Sequence, residues 1–242
     1  STLGRLDVTL WYQKGADPSL PVGAISWQKG AVDINTGTLH TFQGASRIDG
    51  NIELTGAFEP FKLLSGTVRT GEFTWSPTSF GAIQLSQLDD SRRAVLDVSR
   101  RYVQGPGRNV TAFATALLQI GPSAVSSGID GGTVKDPTPV KTTRINVTTG
   151  ATLALNQATV NGPNLAVESG AQLQLRRDNR LAALDNAGSI VIAPGASLDL
   201  QSAAVAPGGS IVLQEGSSRL RINGAAFRNE GTIQGSGLIE VG

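Results

Sequence analysis

Four acidic side chains in the second half of the chain, Glu168, Asp178, Asp185 and Asp199, are the residues whose type and spacing could do chemistry. Two carboxylates flanking a glycosidic bond can hydrolyse it, one as the proton donor and the other as base or nucleophile. The surrounding sequence argues against that use. Asp199 is the middle residue of Leu198-Asp199-Leu200 and points away from its apolar neighbours, as Gln174 does in Leu173-Gln174-Leu175. Glu168 stands at a turn after its strand. A groove that cleaves sugars also wants aromatic platforms, yet residues 144–242 hold one aromatic, Phe227, and no tryptophan or tyrosine follows Tyr102.

Other chemistries find less support. His40 is the only histidine and alternates with Leu39 and Thr41, so it reads as one position on a strand. One imidazole cannot build a histidine-rich metal site. As the base of a serine triad it would need a nucleophile, and no Gly-x-Ser-x-Gly elbow supplies one. With no cysteine there are no disulfides, catalytic thiolates or cysteine-zinc sites. The glycine-rich GPGRNVT (105–111) lacks the Gly-Lys-Ser/Thr ending of a phosphate loop. Asp130 and Asp136 do not have the spacing of a calcium-binding EF-hand loop. The expectation is a non-enzyme with no catalytic, metal-ligating or cofactor-binding residue.

The elements that carry these residues are written as a refrain. "INVTTGATLAL" (145–155), "LAVESGAQLQL" (165–175) and "IVIAPGASLDL" (190–200) each run apolar-x-apolar, two spacers, Gly-Ala, then x-Leu-x-Leu. "IVLQEGSSRLRI" (211–222) keeps the glycine, and "TIQGSGLIEV" (232–241) is a shortened copy. The glycines fall at 150, 170, 195 and 216, a period of roughly 20–25 residues that marks a solenoid. One coil cannot bury its inner residues. Stacked coils can, each strand pairing in parallel with its counterpart at about 4.8 Å. The glycine permits a sharp bend with positive φ. Asn186–Ile190 and Asn229–Ile233 share Asn-x-Gly-Ser/Thr-Ile, a turn phrase expected to recur at one corner. A β-sandwich of hairpins is the rival arrangement, but the turns within the refrain are not the Asn-Gly of two-residue hairpins.

Composition agrees with an all-β chain of short strands: 242 residues with 30 glycines, 11 prolines and 5% aromatics. A net charge of +1 with scattered signs gives no nucleic-acid footprint. No apolar run approaches the ~20 residues of a membrane helix. The opening STLGRLDVTLW shows no apolar leader; a cleaved signal and a removed methionine both fit. Residues 1–87 read as an antiparallel β domain, sandwich or barrel. Residues 88–120 read as a helical or mixed neck: Leu88, Val95, Val98 and Tyr102 lie at helical spacing, although Ala94, Leu96 and Val98 also alternate, and 109–120 fits either helix or strand. Residues 121–143, rich in Gly, Pro, Ser and Thr, read as a linker arm, and 144–242 as the solenoid. Candidate partner contacts are Trp11, Tyr12, Trp27, Phe58, Phe61 and Trp75, with Phe73 beside them, and core packing is the competing role of each.

The Gly-Ala-x-Leu-x-Leu and Asn-x-Gly-Thr-Ile phrases of 144–242 resemble right-handed parallel β-helices. These occur in phage tail spikes, fibres and decoration proteins and in filamentous-haemagglutinin-type adhesins. The resemblance implies a structural virion-surface protein, a homotrimer with other virion proteins as partners and host-surface glycan as a further one. Charge and the apolar runs add the expectation of no nucleic acid and no membrane among the partners. The alternative it offers is a secreted or cell-surface bacterial adhesin, and the third a polysaccharide depolymerase.

Overall fold

The computed structural model describes residues 26–27, 31–34, 40–42, 45–54, 61–63, 66–75, 83–85, 94–112, 116–138 and 143–242. The described chain is all-β, with no helix, and winds as a parallel solenoid. Each coil contributes a short strand to each of three faces. The first face stacks 67–70, 95–98, Leu117–Ile120, Arg144–Val147, 164–167, 183–186, 202–205 and 226–229. The second stacks 72–75, 101–104, Ser127–Asp130, Thr152–Asn156, Gln172–Arg176, Ser189–Ile192, Ser210–Leu213 and Thr232–Gly235. The third stacks Ile83–Leu85, Asn109–Ala112, Thr133–Lys135, 159–161, 178–181, 197–200, 219–222 and Leu238–Val241.

The alternation of each strand turns one row of side chains inward, and parallel register lines these rows into columns. Leu118, Ile145, Leu165 and Leu184 form one column, and Leu153, Leu173, Ile190 and Ile211 another. All lie within one continuous buried cluster. Each such side chain contributes ~1.5–3 kcal/mol by leaving water. No interior coil owns its core, because its inward residues pack on the coils before and after it.

The expected glycine turns form. Gly150, Gly170 and Gly195 all have positive φ, at 79°, 76° and 70°. The refrain does not stack on itself throughout, however. Gly150 and Gly170 turn the chain from the first face to the second, whereas Gly195 and Gly216 turn it from the second to the third. The spatial successor of Gly170 is the tighter Asn186-Ala187-Gly188 turn. The phrase is chemistry for a corner, and two of the three corners accept it. Its sequence period therefore drifts against the coil. The asparagine phrase does share a corner: Asn186 and Asn229 lie in one column through Val205, and each Oδ1 accepts a hydrogen bond from the glycine N–H two residues on, at 3.1 and 3.2 Å.

Two expectations need correction, and one open reading is resolved. Within the helical or mixed neck, the helical reading gives way to strand Ala94–Gln104, whose side chains alternate inward and outward at both ends; residues 88–93 lie outside the described residues. The alternating set Ala94, Leu96 and Val98 prevails because Leu96 stacks between Val68 and Leu118, contacts that a helix would forgo. Residues 109–120, left open between helix and strand, give strands Asn109–Ala112 and Leu117–Ile120. The stretch expected as a linker is built into the ladder through Ser127–Asp130 and Thr133–Lys135. Its small residues are corner residues: a Cβ on Gly132 would lie 2.5 Å from the carbonyl oxygen of Arg108.

The antiparallel domain expected over 1–87 falls largely outside the described residues. The strands that are described there pair in parallel, Ser26–Trp27 and Ala31–Ile34 with Ala45–Leu54, and His40–Phe42 with Phe61–Leu63.

Candidate binding groove

A groove of about 650 Å³ runs along the first face, with Arg144, Glu168, Asp185, Arg228 and Glu230 among the residues that line it. Its origin is a matter of side-chain size. The outward row of this face reads Gln119, Asn146, Ala166, Asp185, Ala204 and Arg228 in register along the axis. Two alanines between longer residues lower the surface, and Ala187 and Ala206 do the same at the adjoining corner. Buried Val167, Asn186 and Val205 border the groove from the interior side.

Its charges are internally matched. Asp185 Oδ2 accepts a hydrogen bond from Asn164 Nδ2 at 2.5 Å and lies 3.6 Å from Arg144 Nη2. Glu168 Oε1 accepts from Asn146 Nδ2 at 2.7 Å, and its Oε2 accepts from the backbone N–H of Thr149 at 3.0 Å. Those two donors, the Asn146 amide first, hold the Glu168 carboxyl below the usual glutamate range. Arg228 pairs with Glu230.

Two of the four candidate carboxylates, Glu168 and Asp185, thus share this groove. The other two sit on the third face. Asp178 accepts a hydrogen bond from Ser197 Oγ at 2.7 Å. Asp199 lies between Arg180 (3.8 Å) and Arg221 (3.6 Å). Arg180, Asp199, Arg221 and Glu240 stack in register as a ladder of alternating charge, closed by Arg221 Nε donating to Glu240 Oε2 at 2.7 Å. A general acid needs its carboxyl raised toward the working pH. Glu168 is moved the opposite way.

Of the candidate partner contacts, Trp75 is fully buried and offers no surface. Phe73, equally buried, stacks on Tyr102 with ring centroids 5.8 Å apart. Burial raises the Tyr102 hydroxyl far above its ordinary pKa. Trp27 lies in Ser26–Trp27 and Phe61 in Phe61–Leu63, while Trp11, Tyr12 and Phe58 lie outside the described residues. His40 lies in His40–Phe42, a strand as its alternation suggests.

Arg144, Asn146, Arg228 and Glu230 were not singled out by sequence. The available signal was the middle letter of successive first-face triplets, Ile-Asn-Val, Leu-Ala-Val and Leu-Asp-Asn, which becomes a row only once coil boundaries are known. Among the described residues, no group of three or more His, Cys, Asp or Glu side chains is gathered to hold a metal ion. No protein-family model, curated protein or solved structure matches this chain.

Proposed function

We propose that this chain is a non-enzymatic structural and attachment protein, a solenoid shaft on the surface of a phage virion that presents the first-face groove outward. The continuous inward columns carry this reading. A core shared between all neighbouring coils makes a stiff rod, and groove carboxylates already engaged by asparagine amides suit recognition rather than hydrolysis. The partners that fit are other virion proteins, two further copies of the chain and a host-surface glycan. Trp11, Tyr12, Trp27, Phe58 and Phe61 remain the candidate contacts on the attachment side.

A second reading, a secreted or cell-surface bacterial adhesin, is favoured by one observation. The described strands between residues 26 and 85 pair in parallel in the same ladders, as in one long solenoid rather than a separate attachment domain. A depolymerase draws only on Glu168 and Asp185 sharing a groove. Mass measurement of the full chain in solution tests the virion reading: a trimer is expected, and a monomer at all concentrations overturns it. Incubation with capsular or lipopolysaccharide glycan tests the non-enzymatic reading, since new reducing ends would overturn it.

A further inference from the structure

Asparagine followed by glycine occurs twice in the chain, at Asn161-Gly162 and Asn223-Gly224. The fold puts both at the same place, the corner where the third face turns into the first. In each, three residues stand where the neighbouring coil has one. Val160 and Asn164 pair with Leu181 and Ala183, so 161–163 bulge opposite Ala182. Ile222 and Ala226 pair with Leu200 and Ser202, so 223–225 bulge opposite Gln201. Both asparagines are exposed, and neither side chain hydrogen-bonds to another described residue. Asn146, Asn164, Asn179 and Asn186, by contrast, are each tied by their side-chain amides.

The two sites differ in how tightly the glycine is held. Gly162 is buried at a φ of 109°, with the position of a Cβ 2.7 Å from the Asp136 carbonyl oxygen, and the Asn161 carbonyl accepts a hydrogen bond from the Asp136 N–H at 2.9 Å. Pro163 follows directly. Gly224 is partly exposed and has no positive φ. It must nevertheless be glycine, because a Cβ there would lie 1.7 Å from the Gln201 carbonyl oxygen. The corner therefore enforces an unhindered residue after an exposed, untethered asparagine.

We propose that Asn223 is a site of spontaneous deamidation, and that Asn161, in the same dipeptide, is protected by the fold. The Gly224 backbone nitrogen gives up its proton and attacks Asn223 Cγ. The new C–N bond closes a five-membered succinimide as the Cγ–Nδ2 bond breaks, and the nitrogen leaves as ammonia, carrying the proton. Solvent water then opens the ring at either carbonyl to aspartate or isoaspartate, with no oxidant or reductant needed. The product adds one negative charge. In the iso form it also adds a methylene to the backbone, within a bulge that lies outside the ladder register, so the inward Leu220 and Ile222 keep their places.

The test is incubation of the purified full chain in warm, mildly alkaline buffer, then peptide mapping with isoaspartyl-methyltransferase labelling at every asparagine. Isoaspartate accumulates at Asn223 roughly fivefold to tenfold faster than at Asn161, the worth of the backbone hydrogen bond from Asp136 that Asn161 must break. Asn223→Gln removes the acidic charge variant, and urea unfolding brings the two sites to similar rates. Equal rates in the folded chain, or no product at Asn223 while the unfolded chain reacts there, would overturn the proposal. An Asn161 site still slow in urea would overturn protection by the fold.

Discussion

Glu168 ties two coils together, because its acceptors serve a side-chain amide and a backbone N–H of the preceding coil. Those bonds are made to the charged form, so the folded pKa lies below the unfolded one. The stabilisation is complete above the ordinary glutamate value and is lost as pH falls through the lower folded value. The site is open to solvent, so screening keeps the contribution at no more than about 1 kcal/mol. Glu168→Gln is expected to melt lower than the parent at neutral pH, and the gap to close in acid. A gap that persists below the titration would assign the loss to packing instead. Glycines separate in the same way by what surrounds them. A Cβ at Gly188 would lie 2.4 Å from the Glu168 carbonyl oxygen and 2.5 Å from that of Ala171, whereas at Gly195 it would meet nothing within 4 Å. Gly195→Ala should cost only the left-handed backbone penalty, ~1–2 kcal/mol. Gly188→Ala forces backbone apart and should cost more than ~3 kcal/mol, read from urea midpoints.

At the scale of elements, two successive turns of the corner between the second and third faces share one buried side chain. Asn179 accepts a hydrogen bond from the Ala158 N–H at 2.9 Å and donates to the carbonyls of Arg176 (3.0 Å) and Arg177 (3.1 Å). It thereby braces two left-handed corner residues in successive coils, Gln157 at a φ of 58° and Arg177 at 57°. Asn179→Ala leaves those three backbone groups without this partner and should cost about 2–4 kcal/mol in chemical denaturation, far more than the outward Gln174→Ala. The sequence "RRDNRL" hides this, since five polar residues among six read as solvated surface while one of them is interior. What could be read was whatever repeats locally: apolar alternation, and a glycine after two spacers. Partners a coil away left no such mark. Val98 fits the helical set and the alternating set alike until Val68 and Leu118 stand beside Leu96. The small residues of 121–143 have linker composition because strands of three or four residues leave most of a coil to its corners. The groove is half visible in the sequence: Glu168 and Asp185 stand out by their chemistry, while the alanines that make the groove have none.

At the scale of the whole molecule, stability is a nearest-neighbour property. Each coil is bonded to the one before and the one after, and contacts between distant coils are absent from the pairing among the described residues. A lesion should then weaken its own coil and the two it touches, and fade beyond them. Leu173 is fully buried in the column between Leu153 and Ile190. Leu173→Ala removes a buried side chain at a cost of about 2–5 kcal/mol. Native-state hydrogen exchange should report lost protection in Thr152–Asn156, Gln172–Arg176 and Ser189–Ile192, with strands Ala94–Gln104 and Asn109–Ala112 keeping theirs. Loss spread evenly over all coils would mean that the rod unfolds as one unit. Its stiffness would then be a global property rather than a sum of neighbouring interfaces, and a shaft extended by adding coils would no longer follow from this core.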